Sequence, residues 1–470
     1  MRFALDRSVR RYRDGRVLIG GSPLRLFRLT DAGARLIDRI EAGQAVAAGP
    51  AEVRLLDRLI DAGALHLRPE RGPFGPDDVT VVVPVRNRAA VLDRLLSSIG
   101  AAGAGSRPAA VVVVDDGSLD AAAHAEVARR HGAELVRRPR PGGPGAARHD
   151  GIVRSRTDLV AVLDSDCVVT PGWLAALLPQ FTDERVAAVA ARVRTEPGEG
   201  LLARYESARS PLDLGPEPGP VTPGTRVPYV PAAGVVLRRD AYDDVGGFDD
   251  SLRVGEDVDL VWRLVESGWR VRYEPSAVVV HDVRPDLRSW LGQRYSYGCS
   301  AAPLDARHPG RVAPVSCSPW SVAVWAAAAA GHPVLGATVA FGTSAALAAR
   351  LGQLPAATSF RLALRGHLGA GRLLARALVR VWWPLALAAA VLSRRARWLL
   401  VVAAASAVAE ARTRADRVDV DPVRFAVLAL ADDVAYGCGV WAGCLRARSL
   451  RALMPRLVAW PGATDRAAPR

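Results

Sequence analysis

Apolar and polar positions along the chain fall into three successive rhythms. The first covers residues 1 to about 70. Arg16-Val-Leu-Ile19, followed by Gly20-Gly-Ser-Pro23, reads as a strand and a turn, and Leu24 to Leu29 reads as a second strand. Thr30 suits the N-cap of a helix running through Ile40, with Leu36, Ile37 and Ile40 on one face. Val53, Leu55, Leu56, Leu59 and Ile60 mark another helix, which Gly63 stops, and Ala64-Leu-His-Leu67 closes as a strand. Strands and two short helices in this order predict a small winged-helix-like α+β module over residues 1–72. The Pro- and Gly-rich stretch from Pro69 to Pro76 is its linker.

The second rhythm, over residues 78–305, alternates strands with helices. Val79 to Val83 is a continuous apolar strand ended by Pro84, Leu92 to Ile99 is helical, and Ala110 to Val114 is a strand ended by Asp115-Asp116-Gly117. Leu159 to Leu163 is a third strand, ended by Asp164. Unbroken apolar strands alternating with helices predict a Rossmann-like, mostly parallel sheet covered on both faces, an α/β fold. Such sheets bind ligands at the carboxyl ends of their strands. Asp115, Asp116, Asp164 and Asp166 all stand at such ends, so their placement matters more than their number.

The third rhythm begins after residue 305. No charged residue occurs between Val312 and Ala349, and a membrane span needs roughly 20 apolar residues. His332-Pro333 and several glycines interrupt the stretch, which leaves one span, a re-entrant hairpin or two buried helices open. Arg361 to Arg380 repeats Leu and Arg at helical spacing, as in a helix lying in a membrane interface. Val381 to Leu392 and Trp398 to Ala409 are apolar but short, and Arg394-Arg-Ala-Arg397 separates them. Residues 306–470 are therefore expected to be an apolar and amphipathic helical, membrane-associated region. The alternative is a helical domain packed on the catalytic one. Asp432 and Asp433 sit in an apolar run and should face protein or water, paired with Arg.

Composition sharpens this picture. Half of the 470 residues are apolar, which supports a large core rather than disorder. The net charge is +14, and arginine alone carries the basic side. A GC-rich genome also yields such usage, and the arginines form no stripe interleaved with aromatics, so no nucleic-acid partner is expected. They concentrate after residue 350 beside apolar runs, which favours an anionic membrane surface. Cys167, Cys299, Cys317, Cys438 and Cys444 make no C-x-x-C pair, so neither a disulfide framework nor a zinc site is expected. Met1 to Arg16 is charged and has no apolar core, so this part is expected in the cytosol, with the catalytic domain at the cytoplasmic face of the cell membrane.

Four clusters carry candidate chemistry. Asp164-Ser-Asp166 follows a buried strand, and two carboxylates so placed can face one Mg²⁺ or Mn²⁺, which prefers oxygen ligands and commonly bridges carboxylates to substrate phosphates. Such an ion neutralises a diphosphate leaving group. The same tripeptide also suits a solvated turn or a helix cap. Asp115-Asp116 can accept hydrogen bonds from a base N–H or a ribose hydroxyl, although Asp-Asp-Gly is also ordinary turn chemistry. Glu256 and Asp257 open an amphipathic helix, where acids favour the dipole in any case. The functional reading makes Asp257 the general base that takes a proton from an acceptor hydroxyl. His281, after Val278-Val-Val280, can complete the metal's ligand set or serve structure alone.

Taken in order, these clusters resemble the family 2 glycosyltransferases of the GT-A fold. The matching residues are Val81 to Arg88 (VVVPVRNR), Asp115-Asp116-Gly117-Ser118, Gly145-Ala-Ala-Arg148, Asp164-Ser-Asp166, Gly246-Gly247-Phe248-Asp249 and Glu256-Asp257. The resemblance implies nucleotide-sugar binding by Pro84, Asn87, Asp115, Asp116, Arg148 and Asp164. It implies metal binding by Asp166 with Asp164 and His281, and catalysis by Asp257 with Glu256 and inversion at the anomeric carbon. Gly246, Gly247 and Phe248 would frame the acceptor side. Gln293-Arg294, followed by Tyr295 and Tyr297, resembles the Q-x-x-R-W helix of processive members and would also lie on the acceptor side. It lacks the Trp and reads equally as an amphipathic interface helix. His149 stands where the family often has Asn.

The whole architecture is further similar to the glycosyltransferases of the mycofactocin system, which join a PqqD-like peptide-binding module to such a domain and an apolar tail. Gly20 to Pro23 with Leu24, Leu26, Leu29 and the Thr30 helix carry the first likeness, and Ala431 to Gly437 (ADDVAYG) the second. The resemblance implies transfer of glucose from UDP-glucose, in β linkage, to a peptide-derived redox cofactor or its precursor. A related transferase acting on a lipid or cell-wall polysaccharide is the alternative. A non-catalytic binder would not need Asp116, Asp166 and Asp257 together. A dinucleotide-dependent dehydrogenase would need a G-x-G-x-x-G turn where Pro84-Val-Arg-Asn87 stands. A DNA-binding regulator would leave the acids without a role.

Overall fold

In the N-terminal module the expected strands and helices form from the expected residues. They are β3 (Val17–Gly20), β4 (Arg25–Arg28), α1 (Asp31–Glu41), α2 (Pro50–Asp61) and β5 (Leu65–Leu67), and β1 (Phe3–Leu5) and β2 (Arg10–Tyr12) precede them. The computed structural model describes residues 1–47, 49–103, 106–196 and 198–458. The Thr30 hydroxyl accepts from the Gly33 amide and caps α1. Leu36, Ile37 and Ile40 pack with Leu56, Leu59 and Ile60 over Leu18 and Phe27. Val53, expected on the apolar face of α2, is exposed. β5 pairs antiparallel with β1, and β2, β3 and β4 make a three-stranded sheet. β1 and β2 leave no sequence signature, because three-residue strands are too short to show a period of two.

The chain then builds β6 (Val79–Val85), α3 (Ala89–Ala101), β7 (Ala110–Asp115), α4 (Ala121–Arg130), β8 (Glu134–Arg137), α5 (Pro144–Arg154), β9 (Leu159–Val162) and β10 (Cys167–Val169). After these come α6 (Trp173–Leu177), β11 (Val186–Arg194), α7 (Leu201–Arg209), β12 (Gly219–Pro220), β13 (Val235–Arg238), α8 (Arg239–Asp244), α9 (Glu256–Glu266) and β14 (Arg270–His281). The sheet order is β10-β14-β11-β13-β9-β6-β7-β8, with β12 on β14. β9, β6, β7 and β8 are parallel, as the unbroken valine runs predict. The other half is mixed: β13 is antiparallel to β9 and β11, β14 is parallel to β11, and β10 is antiparallel to β14.

Pro84 does not end its strand. β6 continues to Val85 and pairs Pro84 with Val114. Val82 accepts from the Leu163 amide on the β9 side, and that pairing stops there. Pro84 shares the parity of Val82, so its missing N–H faces a side with no further ladder to feed.

The N-terminal module is held to the sheet by charge. The Arg270 guanidinium reaches Asp57 and Asp61 of α2 and Asp183, each at 2.7 Å. Accordingly the chain divides compactly into Met1–Arg11 with Leu18–Val283, and Tyr12–Val17 with the residues from Arg284 onward. That division falls at residue 283 rather than 305.

The second unit contains α10 (Leu287–Cys299), α11 (Ala301–Arg307), β15 (Ser316–Cys317), α12 (Pro319–Ala329), α13 (Pro333–Arg350) and α14 (Ala356–Arg380). It continues through α15 (Trp383–Leu392), α16 (Arg394–Ala415), α17 (Pro422–Arg446) and β16 (Arg456–Leu457). A Cβ on Gly298 or Gly439 would overlap the backbone of Tyr436 or Tyr295, so glycine lets α10 and α17 close on each other. This contact is why α10 belongs here. Asp432 pairs with Arg294 (3.2 Å) and Asp433 with Arg380 (2.6 Å), as expected of acids in an apolar run.

The uncharged stretch from Val312 is two helices, α12 and α13, turned at Gly331 (φ +88°). Arg394 to Arg397 lie within the first turn of α16, and the break falls at Ser393, whose side chain caps that helix. Among the described residues only α17 is long and apolar enough to cross a membrane by itself, and 44% of its most apolar window is buried. α14 and α15 pass that test only together and are bent by 87°.

Candidate active site

The carboxyl ends of β6 and β7 form one stitched corner. Asn87 takes a left-handed conformation (φ +56°), its amide donates to the Ser118 hydroxyl, and its side-chain oxygen accepts from the Leu119 amide. Asp115 is fully buried and accepts from the Ser118 amide at 2.8 Å. Asp116 accepts from the amides of Gly142 (2.8 Å) and Gly143 (2.9 Å) and lies 3.1 Å from Arg138 Nε. Pro84, Asn87, Asp115 and Asp116 thus share one corner. Each of the two acids already fixes a loop amide.

The next corner comes from β9, β10 and β14. Leu163 is tied to Val82, so Asp164 and Asp166 emerge beside the end of β6. The antiparallel register sets His281 opposite Cys167 and brings its Nε2 to 3.3 Å from Asp166 Oδ1. One donor atom from each of Asp164, Asp166 and His281 lies within 4.8 Å of the others. Two carboxylate oxygens and one imidazole nitrogen at that spacing fit a divalent ion of the Mn²⁺ or Mg²⁺ kind. Arg88 donates to Asp166 Oδ2 at 2.7 Å. Arg88, the last residue of the Val81–Arg88 motif, thus touches the candidate metal site, a contact that its sequence position does not signal.

Arg148 of α5 joins this corner to the start of α9. Its guanidinium is buried and donates to Asp164 Oδ1 (2.6 Å) and to Glu256 Oε1 (2.5 Å), with the Phe248 ring 5.7 Å away. Burial alone would discharge it, but the two carboxylates outweigh that and hold it protonated. Gly145 has no side chain to block Glu256: a Cβ there would stand 3.1 Å from Glu256 Cγ. Gly255, at φ +83°, turns the chain into α9, so Glu256 and Asp257 meet its positive end. Asp257 accepts from the Val258 amide (2.8 Å) and the Ala232 amide (3.3 Å). Burial, and then the charge of Asp257, push the Glu256 carboxyl up to about 7. Burial raises Asp257 as well, against the pull of Arg148.

Gly246 and Gly247 occupy left-handed conformations (φ +75° and +69°), and a Cβ on Gly247 would collide with the Tyr242 ring. The Tyr242 hydroxyl accepts from the Phe248 amide (3.0 Å) and meets His149 Nδ1 (2.8 Å). Arg263, held by Asp259, donates to the carbonyls of Val245 and Gly247. His149 therefore steadies the Gly-Gly-Phe turn. Gln293 and Arg294 belong to the other unit, where the buried Arg294 lies over Trp290 and Tyr297.

Glycosyl transferase family 2 matches residues 80–246. Two pre-mycofactocin glycosyltransferases of Mycobacterium tuberculosis, from strains CDC 1551 and H37Rv, are each 42% identical over 468 residues, covering 96% of this chain and 97% of theirs. The chain belongs to the family 2 glycosyltransferases. The narrower likeness to the mycofactocin-system enzymes likewise runs the length of the chain. Succinoglycan biosynthesis protein ExoU of Rhizobium meliloti is 32% identical over 208 residues, 42% of this chain and 59% of that protein. The mannosyltransferase PcManGT of Pyrobaculum calidifontis, solved with GDP-Man and Mn²⁺, aligns with TM-score 0.44 and 19% identity over 77% of this chain and 89% of that one. The family segment contains Asp115, Asp116, Arg148, Asp164 and Asp166. Glu256, Asp257 and His281 lie past it, and α9 and β14 carry them back to the same site.

Proposed function

We propose that this glycosyltransferase is an inverting hexosyltransferase that moves glucose from UDP-glucose, in β linkage, onto mycofactocin or its peptide-derived precursor. The observation that carries the reading is the Arg148 guanidinium, which bonds Asp164 on one side and Glu256, neighbour of Asp257, on the other. One side chain thus spans the acids proposed for the donor and the acid proposed for the acceptor.

In this reading Asp164, Asp166 and His281 hold Mn²⁺ or Mg²⁺, which supplies charge neutralisation to the departing diphosphate. Asp115 and Asp116, with Pro84, Asn87 and Arg148, place the nucleotide end of the donor. Asp257 accepts the proton of the acceptor hydroxyl as its oxygen bonds the anomeric carbon, and the UDP oxygen leaves from the opposite face, so the configuration inverts. Glu256 keeps Arg148 aligned and shares the local charge with Asp257. Gly246, Gly247 and Phe248 make up the acceptor side.

The N-terminal module would take a peptide by strand addition along an edge of its three-stranded sheet. Calorimetric titration of precursor peptide into the full chain tests this, and no binding at high micromolar concentration removes it. The second unit would rest on the cytoplasmic face of the membrane, since α15 buries none of its residues and Trp398, Val401 and Val402 of α16 are exposed.

Mass spectrometry of the acceptor incubated with a panel of UDP- and GDP-sugars and Mn²⁺ tests donor and acceptor together. A second reading, a lipid or cell-wall polysaccharide acceptor, draws on the same exposed helices. Radiolabelled sugar appearing in lipid extracts, and not in water-soluble acceptor, would select it.

A further inference from the structure

The second unit holds a cavity of about 260 Å³ that the proposed transfer does not use. Leu373, Arg376 and Arg380 of α14, Tyr436 and Val440 of α17 and Ala301 of α11 line it. Its remaining wall is Ala, Val and Pro, so no carboxylate or amide side chain lines it. Arg376 is exposed and stands one helical turn before Arg380, on the same face. Arg380 is fixed in orientation: its Nη1 lies 2.6 Å from Asp433 Oδ1, and its guanidinium carbon lies 3.9 Å from the centre of the Tyr436 ring. Arg376 and Arg380 are the charged side chains that line it, and Asp433 lies behind Arg380 as its ion-pair partner.

We propose that this cavity binds an anionic amphiphile, with a phosphate or carboxylate head on Arg376 and Arg380 and an apolar body against Leu373, Tyr436 and Val440. The Arg380 fork is already oriented by Asp433 and Tyr436, and guanidinium matches oxyanions in two-point geometry. Apolar walls with few polar groups are the usual make-up of a small-molecule site. A neutral sugar would find too few hydrogen-bonding partners here, and a cation would meet no carboxylate on the lining.

Calorimetry on the full-length protein provides the test, with dodecyl phosphate as the probe and inorganic phosphate and dodecyl maltoside beside it. Dodecyl phosphate should bind one-to-one, with inorganic phosphate at least roughly tenfold weaker and the maltoside silent. Arg376→Gln should weaken dodecyl phosphate by roughly tenfold or more. Leu373→Trp, at an exposed position where a larger side chain can be accommodated, should block the mouth and abolish binding. Circular dichroism identifies the folded variants. Folded variants that bind like the parent protein overturn the proposal, as does equal binding of the maltoside. Equal affinity for inorganic phosphate would assign the site to soluble oxyanions and overturn the amphiphile.

Discussion

Replacing Asp257 by Asn separates base catalysis from donor binding. The substitution preserves shape, and the Asn carbonyl can keep the 2.8 Å bond from the Val258 amide. Only the longer bond, 3.3 Å from the Ala232 amide, is lost, because a side-chain NH₂ would then face a backbone N–H. That mismatch costs about 1 kcal/mol, too little to unfold the site. Arg148 keeps both of its carboxylates, Asp164 and Glu256. Removing the neighbouring charge lowers the Glu256 carboxyl from its present value of about 7, which strengthens its pairing with Arg148 at neutral pH. The donor side should therefore be untouched. A positioned general base contributes about 10²- to 10⁴-fold, or roughly 3–5 kcal/mol of barrier. The turnover of Asp257→Asn should fall by that factor, measured as transferred hexose by mass spectrometry, while UDP affinity in the presence of Mn²⁺ stays within about threefold of the parent by calorimetry. Turnover within tenfold of the parent would refute the base assignment. Loss of UDP binding in step with turnover would move Asp257 to the donor side.

The acid limb of the rate should follow the same pair. A base works deprotonated, and burial raises both carboxyls, so kcat/KM should climb with pH through an apparent value above that of a free carboxyl and then level off; a profile from roughly pH 4.5 to 8.5 reads this. Asp166→Asn, which removes a direct ligand, should weaken Mn²⁺ binding in calorimetry by more than the roughly 10-fold of an outer-shell change, and chelation should stop transfer until Mn²⁺ is restored. Arg270→Met strips Asp57, Asp61 and Asp183 of a shared partner at 2.7 Å. Because Asp57 and Asp61 are 37% and 44% exposed, the loss is about 2 kcal/mol rather than the larger figure for a fully buried pair. It should show as faster protease cleavage between residues 69 and 76, with UDP binding kept.

Some of this protein can be read from local sequence alone. Unbroken valine runs require burial on both faces, so they determined the parallel strands β6, β7 and β9 and put Asp115, Asp116, Asp164 and Asp166 at their ends. Thr30 and Gly63 act through their own dihedrals and hydrogen bonds, so the helix limits they set were equally visible. What no local pattern carries is which distant strands and helices become neighbours. The antiparallel register of β10 and β14 alone decided that His281 meets Asp166, more than a hundred residues away. Packing of α5 against the start of α9 made Arg148 a partner of Glu256 rather than only a nucleotide contact, with Gly145 providing the room. The glycine contacts between α10 and α17 drew α10 into the second unit. Dihedral preference and burial are properties of a short segment, whereas strand register and helix contact depend on the whole chain's topology. Local pattern could therefore name the acids, whereas their assembly into one site was implied only by the family resemblance and is carried out by register and helix contacts.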